Sequence, residues 1–230
     1  MKITLVTIRV PKQGYDEVAE RWIASYKEFK PAIPHDLLVV NCESNHTPSV
    51  YDEVATDFMR YDGGGWDCGT WVHVGKRVET DLLVCCNTST FFTRSGWMER
   101  FVEAAEQFGN GLYGPLASFE CSRHIRTPCM VFQPEVMRDY PYVIDSRQET
   151  YTFECLGGEK TFTTWCKSRG LPVKLVTWDG VYDMEDWRKP PNIFRRGDQS
   201  NLLVRDRWCV TYENDTEEGK RVAENLADGL

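Results

Sequence analysis

Residues 61–92, YDGGGWDCGTWVHVGKRVETDLLVCCNTSTFF, constrain the fold of this chain more than any other stretch. The consecutive glycines Gly63, Gly64 and Gly65 open onto Cys68, Trp71, Val72, Gly75 and Val78, whose spacing of three and four residues predicts a helix with one inward stripe. The pattern then enters the apolar run 82–86, a buried strand, and stops abruptly at Asn87, Thr88 and Ser89. Polar residues just past a buried strand mark the edge at which open α/β sheets take ligands. A glycine turn beside it lets another group approach the backbone closely, because no Cβ intervenes. The stretch therefore reads as the floor of a binding site. The residues alone leave a second reading open, in which the glycines form only a turn and Asp67 only caps the helix. Asp62 and Asp67 flank the loop and would repel a diphosphate lying on it, so they suit sugar or ribose hydroxyls or the amide edge of a base.

The rest of the chain alternates strand and helix. A first strand around Ile3, Leu5 and Val6 fades at 7–9, and Pro11 with Gly14 breaks the pattern before Tyr15, Val18, Ala19, Trp22, Ile23 and Tyr26 trace one helix face. Residues 36–41, DLLVVN, are apolar without alternation, as in strands of a parallel sheet covered on both faces. A polar loop over 41–48, a short helix near Val50, Val54 and Phe58, and a short strand over 57–61 lead to the glycines. Beyond the central stretch, 96–108 is an amphipathic helix stopped by Gly109, and 111–116 returns to the sheet. Residues 117–127 are irregular and contain His124; such a loop above a strand end predicts a site wall. An apolar run at 129–132, a short helix opened by Pro134, a charged unpatterned segment over 145–154, a helix over 161–169 and a strand over 173–178 follow. Residues 178–200 hold Trp187, Arg188, Lys189, Arg195, Arg196 and Asp198 in a loop too long for a connector, which reads as a basic lid or as solvated surface. Pieces at 202–204 and 208–212 and a charged helix from Thr216 complete the chain.

Composition narrows the class. At 230 residues the chain can bury a stable core as one domain. Nine cysteines, with no CxxC pair and with Cys85 and Cys86 adjacent in an apolar strand, fit neither a disulfide framework nor a zinc site, and predict a reducing compartment. No run of about 18 apolar residues occurs and the N-terminus enters a strand directly, so a cytoplasmic protein without a transmembrane segment is expected. A net charge of −8 argues against a surface that attracts nucleic acid as a whole, though a local basic groove stays open.

Taken together, the order of segments resembles the nucleotide-sugar glycosyltransferases of the GT-A fold, in particular bacterial and phage members similar to family 2. The likeness rests on the first strand and helix, the DLLVV strand, the glycine loop and helix, and LLVCCNTSTFF in the place of that fold's DxD motif. Downstream it rests on HIRT, FQPEVMRDYP, YTFECLGGEKTFTTW and FRRGDQSNLLVRDR. It implies a single Rossmann-like α/β domain over 1–212, with a mostly parallel central sheet flanked by helices. The donor half would be 1–115 and the acceptor half 116–212, with a helical tail at 213–230.

The resemblance also implies roles. Thr7 and Arg9 stand where the nucleotide base lies, and Asp62, Gly64, Asp67 and Lys76 fall in the region contacting base, ribose or phosphate. Asn87 and Ser89 occupy the aspartate positions of DxD and carry no charge for Mg²⁺ or Mn²⁺, so transfer without a metal, or with one held unusually, is expected. Cations must then meet the leaving diphosphate, and Arg195 and Arg196, beside Asp198, are the candidates, with Arg188, Lys189 and Lys76 behind them. Glu154 is the first candidate for the base that takes the acceptor's proton, with Asp145, His124 and Asp198 as rivals. The implied activity is transfer of a hexosyl or pentosyl group from a nucleoside-diphosphate sugar to a glycan or lipid-linked hydroxyl. Alternatives are a phage-type enzyme acting on hydroxymethylated DNA bases, and a binding protein that lost catalysis with DxD.

Overall fold

The computed structural model describes residues 1–10, 14–42 and 49–230; the Pro11 break and the polar loop over 43–48 lie outside them. In chain order the elements are β1 (Ile3–Arg9), α1 (Asp16–Glu28), β2 (Asp36–Asn41), a 3₁₀ turn (Val50–Glu53), β3 (Asp57–Arg60), α2 (Trp66–Gly75), β4 (Leu82–Cys86), β5 (Phe91–Phe92) and α3 (Trp97–Phe108). Then come β6 (Leu112–Gly114), β7 (Ala117–Ser118), β8 (His124–Ile125), β9 (Cys129–Phe132), α4 (Pro134–Arg138), α5 (Arg147–Glu154), α6 (Phe162–Ser168) and β10 (Val173–Val176). The chain closes with β11 (Val181–Asp183), a second 3₁₀ turn (Met184–Asp186), β12 (Val204–Arg205), α7 (Arg207–Glu213) and α8 (Glu217–Asp228).

Eight strands form one sheet in the order β11-β10-β6-β9-β4-β1-β2-β3. β3, β2, β1 and β4 run parallel, as do β6 and β10, whereas β9 and β11 are antiparallel to their neighbours. Unalternating strands bury both faces, and the side chains divide accordingly. Leu38, Val40, Leu83 and Cys85 join a core with Trp71, Phe153, Phe162 and Trp165 of α2, α5 and α6. Leu37, Val39, Leu82 and Val84 join a second core with Trp22, Trp97 and Phe101 of α1 and α3. The result is an α/β protein whose mostly parallel sheet lies between two helical layers.

Several elements differ from expectation, among them β7 and β8, which pair within the segment expected to be irregular. β1 continues through Thr7 to Arg9 because β2 pairs with it up to Arg9, beyond the last β4 partner at Val6. Within 145–154, Arg147–Glu154 is a helix, not an irregular loop: Ser146 caps α5 by accepting from the Glu149 N–H, and the Glu149 carboxylate returns to the Asp145 N–H at 2.8 Å. The basic loop is anchored by the buried Trp187, Ile193 and Phe194, and α8 packs beside it. Arg188 donates to the Asp228 carbonyl at 2.5 Å, and the Phe119 N–H to the Ala227 carbonyl at 2.8 Å.

Candidate active site

The sheet order places β2 and β3 on one side of β1 and β4 on the other, so the connections diverge between β1 and β4. Such a switch point opens a crevice beyond the carboxyl ends of the strands. Here it is floored by the ends of β1 and β4, where the Thr88 hydroxyl donates to the Ile8 carbonyl at 2.5 Å. Thr7 is fully buried below this edge, next to Thr88 and Tyr51, and Arg9 ends β1.

Asn87 organises the floor. Its Nδ2 donates to Asp67 Oδ2 at 2.6 Å, while its Oδ1 accepts from the Ser89 backbone N–H at 3.0 Å and the Ser89 hydroxyl at 2.8 Å. The turn after β4 is thereby locked to the first turn of α2. Burial pushes the Asp67 carboxyl up to about 6, and the negative charge of Glu154 adds to this, against the Asn87 hydrogen bond and the positive charge of Arg207. Asp67 is thus an acid of near-neutral strength with the charges of Glu154 and Arg207 in its field.

Glu154 ends α5 with its side chain only 16% exposed. Its Oε1 accepts from the Thr127 N–H at 3.3 Å and lies 3.9 Å from Arg126 Nε. Arg126 continues to the fully buried Asp206, 3.5 Å away, and covers the Phe194 ring at 4.4 Å. Asp206 in turn caps α7 by accepting from the Trp208 and Cys209 N–H groups. The chain Glu154, Arg126, Asp206 is a buried array of alternating charge, which holds Glu154 in place because breaking any member strands an uncompensated ion. His124 is buried nearby with Nδ1 2.7 Å from the Ser122 carbonyl; burial lowers its pKa, against the pull of Glu154, so the imidazole is neutral with Nδ1–H as the donor.

Most of the other residues singled out from the sequence fall elsewhere, but Arg195 borders the array, over the same Phe194 ring that Arg126 covers, at 5.0 Å. Gly64 and Asp145 meet each other: the Gly64 N–H donates to Asp145 Oδ1 at 2.6 Å. A Cβ at Gly64 would lie 2.4 Å from the Asp145 carbonyl oxygen, and one at Gly65 2.1 Å from that of Ile144. What approaches these glycines is the protein's own 144–145 backbone, in the place foreseen for a ligand. Asp62 is exposed and paired with Arg60 at 2.6 Å. Lys76 caps the far end of α2, nine residues or about 13 Å along the helix from Asp67, and does not join the cluster. Arg195 pairs with Glu120 at 3.4 Å. Arg196 is held by Asp228 and by the Arg188 carbonyl, and Asp198 accepts from the Ser200 N–H at 3.0 Å on the surface.

Arg126, Asp206 and Arg207 join the site although nothing in the sequence reading selected them. A local signal existed only for Asp206, a capping aspartate directly before the helical run from Arg207. The exposed Arg207 opens α7, with its charge lowering the Asp67 pKa, and covers the Trp208 ring at 5.0 Å.

The floor does not fit a divalent cation of the DxD type. Asn87 presents an N–H to Asp67 and spends its oxygen on Ser89, so the turn after β4 itself offers a hard ion no carboxylate. Among the described residues no three His, Cys, Asp or Glu side chains are grouped as metal ligands, and no helix is long and apolar enough to cross a membrane.

No protein-family model matches the chain, and no curated protein does. Among solved structures it is similar to crystal structures of S. aureus TarS. One, of TarS 1-349, is 8% identical with a TM-score of 0.45 over 60% of this chain and 49% of that one; another is 9% identical with a TM-score of 0.46 over 65% and 32%. It is also similar to the mannosyltransferase PcManGT from Pyrobaculum calidifontis in complex with GDP-Man and Mn²⁺, at 11% identity and a TM-score of 0.45 over 65% of this chain and 50% of that one. The chain spans between 32% and 50% of the length of these solved chains.

Proposed function

We propose that this chain is a glycosyltransferase that moves a sugar from a nucleoside-diphosphate sugar to a hydroxyl of a glycan acceptor. The observation that carries the reading is the pair Asp67 and Glu154, two carboxylates in each other's field at the crevice where β1 and β4 diverge. The order of segments resembling GT-A transferases supports the same reading. In this mechanism Glu154, fixed by Arg126 and the Thr127 N–H, takes the acceptor's proton. The acceptor oxygen bonds to the anomeric carbon as the carbon–phosphate oxygen bond breaks, and the diphosphate leaves with the electron pair. Asp67, locked by Asn87, receives hydroxyls of the donor. Arg207 meets the phosphate charge, with no step routed through a metal.

The test is a melting screen against UDP-, GDP-, CMP- and TDP-linked sugars in EDTA, followed by assay of nucleoside diphosphate release. A ligand that binds only the folded state raises the melting temperature according to its affinity and concentration. Failure of every donor to shift the melt or to release nucleotide sinks the proposal.

A further inference from the structure

Trp66 is a bulky residue with φ +47°, in the left-handed region that favours glycine, and its side chain is not excused by burial, since 57% of it is exposed. A strained, solvent-facing tryptophan directly before Asp67 is costly to the fold and points to use. It does not stand alone. The Arg147 guanidinium lies 5.7 Å from the Trp66 ring and 5.7 Å from the Tyr151 ring, and Arg147 Nη2 donates to the Tyr151 hydroxyl at 3.3 Å. Tyr151 is 40% exposed. The three side chains form an aromatic, cation, aromatic ladder open to water.

Helix geometry directs the ladder toward the site. Arg147, Tyr151 and Glu154 follow at four and three residues on α5, so they share one stripe, about 10 Å from end to end. Glu149 and Thr152 point to the other side of the helix, where a surface recess of about 230 Å³ is also lined by Tyr142 and Lys160. The track therefore begins at Trp66 beside the glycine loop and ends at the carboxylate proposed above as the base.

Its charge selects the occupant. Beside the track stand the carboxylates Asp67, Asp145 and Glu154, with Arg147 as the cation within it, whereas Glu149 and Lys160 face the recess on the other side of the helix. A phosphodiester chain would be repelled along this surface. A neutral pyranose fits: its C–H face rests on the electron-rich ring faces, and its hydroxyls reach the carboxylates and the guanidinium. We infer that Trp66, Arg147 and Tyr151 form the acceptor track, and that it takes a neutral oligosaccharide. This rests on the proposed transferase reading and names its acceptor.

The test uses the full chain on an array of neutral and acidic glycans, with a single-stranded oligonucleotide alongside. Trp66→Ala and Tyr151→Ala are each expected to weaken capture of neutral glycans by about tenfold, with the nucleotide-sugar melting shift unchanged. In a transfer assay the same variants raise the acceptor KM and leave kcat nearly intact. Trp66→Gly checks the strain argument: it relieves the backbone, so its melting temperature does not fall while glycan capture does. Unchanged capture in the variants, capture of no glycan by the wild type, or retention of only the oligonucleotide each overturns the inference. If donors fail to shift the melt while the variants still lose neutral glycans, the track stands and the transferase reading falls.

Discussion

Asn87 Nδ2 donates to Asp67 Oδ2 at 2.6 Å, joining the end of the central strand β4 to the first turn of α2. A neutral amide thus faces the Asp67 carboxylate, so this contact carries a single ionisable group. The pair sits in partial burial with Glu154 in its field, so the ionised form of Asp67 is costly to the fold. Asp67 is thereby an acid of near-neutral strength at the mouth of the crevice.

Asp67→Asn is expected to stabilise the protein at neutral pH. The folded pKa of about 6 lies above the ordinary 3.8, so the favourable protonated form is complete below about pH 4 and is lost as pH rises through 6. The wild type therefore carries a penalty of about 2 kcal/mol at pH 7, after allowance for screening at its open side, which the variant lacks. Denaturant unfolding at pH 4 and pH 7 measures it. Equal differences at both values would show that the shift is not that of Asp67.

Replacing Asn87 by Asp should convert the floor into a cation site. Two carboxylates would then meet at hydrogen-bond distance, raising the Asp67 pKa further and lowering stability near neutral pH. Mn²⁺ should restore the melting temperature of Asn87→Asp and leave the wild type unmoved, and donor binding by the wild type should persist in EDTA in a calorimetric titration. A requirement of the wild type for Mn²⁺ would overturn the metal-free floor.

Arg196 and Arg207 should separate structure from ligand contact. Arg196 is engaged by Asp228 at the end of α8, so Arg196→Ala is expected to loosen that helix, seen as faster proteolysis near residue 217, with donor affinity changed less than about twofold. Arg207→Ala removes the cation that lowers the Asp67 pKa and meets the phosphates. It should weaken nucleoside diphosphates far more than nucleosides and move the Asp67 titration upward. The opposite pattern would return the phosphate role to the loop arginines.

The legible parts of this molecule are those set by local pattern. β2 and β4 announce themselves as unalternating apolar runs, and their side chains do divide between two cores. α5 was also written locally, in Ser146 and Glu149, yet its charged residues mask the helical period. The glycine loop shows where local reading ends. Its need for a missing Cβ is visible, but the group that fills the space is a backbone 81 residues away. The same holds for Arg126 and Asp206, whose pairing spans 80 positions, and for Arg196, whose partner lies in the final helix. Charge alone could not show that Arg196 is paired with Asp228 of the last helix.

Glu154→Gln should leave the protein folded and able to bind donor while cutting transfer by roughly 10² to 10⁴, the range for losing a general base. Glutamine keeps an oxygen to accept from the Thr127 N–H and sits in the same space, but it cannot take a proton. It also removes a negative charge from the Asp67 field, so the Asp67 pKa should fall toward its ordinary value and the acid limb of donor binding should move to lower pH. A carboxylate serving only the buried Arg126 would respond differently: the variant would melt lower, because Arg126 would keep only Asp206 as its charged partner, and turnover per folded molecule would be nearly normal. Melting, donor affinity and single-turnover rate measured on the same preparation distinguish the two. Retention of more than about a tenth of the wild-type rate would remove Glu154 from the role of base. Asp145, already accepting from Gly64, and then the neutral His124 would be the next positions to substitute.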